Sequence, residues 1–205
     1  MQNVLLNELL RIFDADEGAM CIDQNMVYDE VFDLMDKQEN SVCKKNEGNV
    51  TYKNATQKPI FVFNYEKFIE SLPAEKKKGI RHCDFIVSLD NCFFICNELS
   101  MGADTKSKWP KAWKQMQQAI QVLNKSEILV NKFACMPFKC CVFSTRQKNI
   151  CSPLGVADAF SRPKALIKIV QEREWYPINQ LGFKVFESDY IILNANEKLE
   201  FLHSA

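Results

Sequence analysis

Glycine and proline together supply only 13 of the 205 residues, histidine supplies two, and basic and acidic side chains cancel at 26 each. So little Gly and Pro, beside 47% hydrophobic residues, excludes a disordered or collagenous chain and predicts a globular one. The charge balance excludes a uniformly basic nucleic-acid coat, an acidic tail protein and a self-repelling polyampholyte. No apolar run approaches the ~20 residues that cross a bilayer, so no membrane partner is expected. The opening MQNVLLNELLRIFDADE has no basic n-region and turns acidic at once, unlike a secretory signal, which predicts a cytoplasmic location. No Gly-rich phosphate loop is present, which excludes P-loop nucleotide hydrolysis.

Nine cysteines are there, at 21, 43, 83, 92, 96, 135, 140, 141 and 151. Their number is odd, most sit among Phe, Ile and Val, and no Cys-x-x-Cys pair occurs. With His82 and His203 the only histidines, the spacing favours reduced thiols acting as small core residues over a disulfide framework or a zinc site. The sequons at Asn49, Asn54 and Asn124 carry no meaning in an unsecreted chain.

A chain of this length buries roughly 70% of its unfolded surface as one unit, so residues 1–205 are expected to form a single α/β domain. Val4, Leu5, Leu9 and Ile12 lie on one helical stripe, and Val31, Leu34 and Met35 repeat it over 28–38, predicting an acidic helical extension over 1–40. Residues 41–58 are polar and almost aperiodic, which reads as a long loop or an exposed hairpin. IFVF after Pro59 is β-prone, Asn64 can cap a helix through YEKFIESL, and Pro73 starts a turn that Gly79 stops. HCDFIVSL (82–89) and CFFICNEL (92–99) are aromatic and β-branched runs around Asp90-Asn91, predicting a hairpin with a two-residue turn. Both of their faces are apolar, which places the hairpin inside a sheet with helices against it. Trp109, Trp113, Met116, Ile120 and Leu123 mark an amphipathic helix of roughly four turns, with Ser107 or Lys108 at its start and Pro110 in its first turn. FKCCVFST reads as a buried strand, 162–174 as a helix, and 182–202 as a strand meander; together these predict a mixed central sheet flanked by helices.

Two carboxylates interrupt the apolar hairpin: Asp84 on its first strand and Glu98 near the end of its second. A lone buried carboxylate costs several kcal/mol unless it is paired, hydrogen-bonded or bound to a cation. With a two-residue turn, 89 pairs with 92 and 84 with 97, so Asp84 and Glu98 are diagonal neighbours that would need a bulge to converge.

In this order the chain resembles the restriction-endonuclease-like, or PD-(D/E)xK, nuclease superfamily: helix, strand with Asp, hairpin, strand ending in Glu-x-Lys, helix, strand. Cys83-Asp84-Phe85 looks like the Asp strand and Asn97-Glu98-Leu99-Ser100 like the Glu-x-Lys strand, a match confined to about 59–146. The resemblance implies metal-dependent phosphodiester hydrolysis in DNA or RNA, with Asp84 and Glu98 holding Mg²⁺ or Mn²⁺. It also implies an acidic residue on the preceding helix, Glu66 or Glu70, and polar groups on the following one, Gln117, Gln118 or Gln121. Ser100 stands where the family has lysine. It cannot replace an ammonium, although it can position a water; Lys111, Lys114 or Lys106 on the next helix is the substitute. Lys106, Lys108 and Arg81 are the candidates for gripping a nucleic-acid backbone. A catalytically silent binding or assembly subunit of the same fold is the alternative, and a protein-interaction module whose acidic N-terminal helices bind a basic partner is another. A cysteine nucleophile is disfavoured, since His82 and Cys83 are adjacent in a strand and point apart.

The neutral total hides a polarity along the chain. Residues 1–43 carry ten acids and two bases, and residues 105–170 carry twelve bases and two acids.

Overall fold

A computed structural model describes residues 1–35, 41–43, 48–100, 105–145, 168–169, 172–194 and 199–203. Among these, two mixed six-stranded sheets and six helices form an α/β protein. The first sheet runs β1 (Gln24–Val27), β5 (Ile60–Asn64), β6 (Phe85–Leu89), β7 (Phe93–Leu99), β8 (Phe138–Ser144) and β10 (Lys184–Glu187). Its first four strands are antiparallel neighbours, whereas β7, β8 and β10 are parallel. The second sheet runs β3 (Val42–Cys43), β2 (Val31–Leu34), β4 (Val50–Asn54), β11 (Tyr190–Leu193), β12 (Glu200–His203) and β9 (Lys168–Ile169). The helices are α1 (Gln2–Phe13), α2 (Tyr65–Ser71), α3 (Ala74–Lys77), α4 (Thr105–Leu123), α5 (Glu127–Ala134) and α6 (Tyr176–Asn179). None of them is long and apolar enough to cross a membrane.

The first sheet is the middle layer, which is why its strands are apolar on both faces. Phe63, Ile86, Phe94 and Phe143 pack against Leu5, Phe68, Trp113 and Leu129 of the helices. On the other face, Val62, Val87, Ile95 and Val142 meet Phe32, Tyr52, Ile191 and Phe201 of the second sheet. One expected helical cover is therefore a sheet instead. Buried thiols fill small gaps, with Cys83, Cys96, Cys140 and Cys141 fully covered; Cys21 and Cys135 are exposed.

Several expectations change. The predicted second N-terminal helix contains β2: Phe32 and Leu34 alternate toward the core, and Asp33 between them accepts from Thr51 Oγ1 at 2.7 Å and Gly48 N at 3.0 Å. Over so few residues both periods find support, the helical one in Val31, Leu34 and Met35 and the alternating one in Phe32 and Leu34, and the sheet partner decides. Part of the predicted polar loop is β4, whose Val50 and Tyr52 are buried by the same alternation. Helix α4 begins at Thr105, so Pro110 lies inside it rather than in its first turn. Within the predicted helix 162–174, residues 168–169 are strand β9 and Arg173 bridges to Val185; 162–167 and 170–171 lie outside the described residues. The C-terminal strands are no meander. The chain leaves the first sheet after β10 and enters the second at β11, and buried Ser188 donates to Leu202 O at 2.7 Å at that crossing.

Candidate functional site

The hairpin turn decides the geometry. Cys92 N donates to Leu89 O at 3.1 Å around Asp90 and Asn91, and Asn91 adopts a left-handed φ of 57°. Leu89 then pairs with Phe93, not Cys92, so the loop holds three residues, a common hairpin length, rather than two. Each later pair shifts by one. Phe85 faces Asn97, and continuing the register places Asp84 directly across from Glu98, with no bulge required.

Both carboxylates are on the helix-covered face, in step with Ile86 and Cys96. Asp84 is 6% exposed and Glu98 7%. Asp84 Oδ2 accepts from Leu99 N at 2.6 Å, and its carbonyl accepts from Tyr65 N and Glu66 N at 2.9 and 3.1 Å. Those two N–H groups belong to the open first turn of α2, where Asn64 also caps, accepting from Lys67 N at 2.9 Å. Glu66 is thereby held beside Asp84. Glu98 Oε2 is buried with no hydrogen-bond partner. Burial first, then the charges of Asp84, Cys83 and Glu66, push the Glu98 carboxyl well above the usual carboxylate range, and Lys111 pulls it back.

Helix α4 supplies the third side. Lys111, Gln115 and Gln118 recur at intervals of four and three, one flank of the helix. Gln115 Nε2 donates to His82 O at 2.9 Å, and Gln118 Oε1 accepts from Arg81 N at 3.0 Å. Gln117 stands on the other flank, away from Lys111. Lys114 and Gln121 are exposed on the side turned from the core, and Arg81 is exposed as well. Lys108 is half-buried, and the Lys106 side chain lies outside the described residues. Ser100 is half-buried at the end of β7, its N–H donating to Ser144 O at 2.9 Å. Glu70 points elsewhere: Lys77 and His82 hold it, at 3.2 and 3.4 Å, and Lys77 foremost lowers its carboxyl below the ordinary range. Burial pushes the Cys83 thiol up, which keeps it protonated and poor as a nucleophile.

The site thus sets Asp84 across from Glu98 with Glu66 beside them, and Lys111 is exposed on α4 with its charge reaching Glu98. Gln115 escaped the sequence reading, although its four-residue step from Lys111 was a usable signal. Among the described residues no three His, Cys, Asp or Glu side chains form a cage for a metal ion. Mg²⁺ does not demand one, because it is commonly held by one or two carboxylates and completed by water and phosphate oxygens. A cavity of about 390 Å³ lined by Asp90, Asn91, Ile128 and Lys132 is at the turn end of the hairpin, far from these carboxylates. Comparison with family models, curated proteins and solved structures gives no match to this chain.

Proposed function

We propose that this chain is a restriction-endonuclease-like protein in which Asp84 and Glu98 hold a divalent cation, Mg²⁺ or Mn²⁺, for hydrolysis of a phosphodiester in DNA or RNA. The observation that carries the reading is the buried, unpartnered Oε2 of Glu98 across from Asp84. Two opposed buried carboxylates are stable only when a proton or a cation offsets their repulsion, and a divalent ion satisfies both. The order α2, β6, β7, α4, β8, with β7 and β8 parallel, supports the family resemblance.

The residues divide the work. Asp84 is fixed by Leu99 N–H and presents its carboxyl group opposite Glu98. Glu66 adds negative charge that favours a cation. Lys111, the lysine whose charge reaches Glu98, takes the role of the missing Glu-x-Lys ammonium, orienting a water toward phosphorus. The metal, when bound, stabilises the charge that develops on the phosphate.

The test is calorimetry with Mn²⁺. Wild type is expected to bind one ion and Glu98→Ala none, and an inert wild type at millimolar metal sinks the proposal. Nicking of a supercoiled plasmid, expected to disappear in Asp84→Ala and in Lys111→Met but to persist in Lys114→Met, then reports on catalysis. Ser100 at the lysine position favours a second reading, a metal-binding but catalytically silent subunit of the same fold, and binding without nicking would select it.

A further inference from the structure

The helix-facing row that holds Glu98 continues across the sheet. Glu98 pairs with Phe143 of β8, and Phe143 with Glu187 of β10. Neighbouring strands are ~4.8 Å apart, which puts Glu187 roughly 10 Å from Glu98 along the row. Over this stretch, Trp109 packs edge-on against Phe143 with ring centres 5.5 Å apart. The Arg173 guanidinium lies 4.2 Å from the centre of the Trp109 ring and donates to Glu187 Oε2 at 2.6 Å. Trp113 faces Trp175 at 6.1 Å. Trp109, Trp113 and Trp175, all three tryptophans of the chain, border a cavity of about 370 Å³ together with Arg173 and Glu174.

The cavity opens to solvent, and Trp109 and Trp175 are half-buried beside it, whereas Trp113 forms its buried floor. The volume is that of a small-ligand site. One wall is a guanidinium stacked on an indole, and the Arg173 side chain stays 55% exposed despite its ion pair. Flat aromatic and guanidinium surfaces accept any base through its π-face, and a guanidinium edge also binds phosphate. Resting on the phosphodiester reading above, we propose that this cavity is a stacking subsite for one unpaired base of a single-stranded nucleic acid. The backbone of that strand passes the Asp84–Glu98 pair on the opposite flank of α4, and Arg173 is the residue that selects an unpaired base over a stacked duplex.

Intrinsic fluorescence reads the subsite directly, because no tryptophan lies elsewhere. With EDTA present, so that neither metal nor cleavage enters, a thymidylate strand of about ten nucleotides is expected to quench the emission saturably. A duplex of the same length should quench far less. Arg173→Lys keeps a cation against Glu187 but removes the planar surface, and is expected to weaken the strand about tenfold; Trp109→Leu should do the same, and circular dichroism checks that each variant folds. No quenching up to roughly 100 μM strand, the weak end of non-specific binding, overturns the subsite. So does equal quenching by duplex, or unchanged affinity in a folded Arg173→Lys. Mn²⁺ binding that survives such a result leaves the metal site standing, whereas quenching without Mn²⁺ binding removes the metal site and keeps the subsite.

Discussion

A carboxyl group that has lost its water needs a proton, a cation or a hydrogen-bond donor, and Glu98 Oε2 has no donor. In the metal-free protein the proton fills the gap, since burial and the neighbouring acids raise this group far above its ordinary range. The folded chain then holds a proton that the unfolded chain has released, from the ordinary glutamate value near 4.3 up to the raised one. Over that window stability falls as pH rises: the Glu98 contribution is complete below the ordinary value and lost as pH passes through the raised one. Thermal unfolding in EDTA between about pH 5 and 8 should therefore show wild type losing stability relative to Glu98→Gln, which cannot ionise. Added Mn²⁺ should restore wild type more strongly at the higher pH, because binding must displace the proton, and leave the variant unmoved. Parallel pH profiles would mean that Glu98 ionises as it does in water.

Which residues meet is settled one level up, in the hairpin. Leu89 and Phe93 pair because Asn91 takes the left-handed conformation, which costs an ordinary L-residue about 1–2 kcal/mol and Asn or Gly little. Asn91→Gly should unfold in urea at the wild-type midpoint or slightly above, and Asn91→Val should lose about 1–2 kcal/mol. A silent valine would mean that the strands, not the turn, set the register. The sequence marked β6, β7, β8 and α4 because long aromatic and β-branched runs, or a sustained 3.6 period, leave little choice of conformation. It did not reveal the register, since Cys92 is as acceptable in a strand as Phe93, nor that β2 is a strand, because five residues fit both periods. Asp84, Glu98 and Lys111 were legible as charges out of place or next in line. For Gln115 only its four-residue step from Lys111 was legible, since its tie to the carbonyl of His82 leaves no mark in a sequence.

At the scale of the molecule, the described residues of the acidic N-terminal region form no helical arm. Helix α1 carries a single acid, Glu8, which is buried and accepts from Ser126 Oγ at 2.6 Å at the start of α5. The exposed acids Asp14, Asp16, Asp29 and Glu30 stand between elements instead, and Glu17 opens a single 3-10 turn. What joins the layers is largely apolar, but Tyr52 of the second sheet donates to Asn97 Oδ1 of the first at 2.7 Å, with both residues fully buried. Asn97 in turn donates to Val142 O at 2.9 Å and Ser144 Oγ at 3.0 Å, tying β7 to β8. It immediately precedes Glu98, so the second sheet, which contributes nothing to the candidate site, braces the strand that carries it. Tyr52→Phe retains the ring and its stack on Phe32, whose centroid is 5.3 Å away, and removes only the hydroxyl. The Asn97 oxygen is then buried without a donor, at a cost of about 1–3 kcal/mol, measurable as a shift of the urea midpoint at unchanged slope. If the brace also sets the Glu98 carboxylate, Mn²⁺ affinity should fall in Tyr52→Phe well below the unfolding transition. Destabilisation with wild-type Mn²⁺ affinity would confine the hydrogen bond to joining the layers.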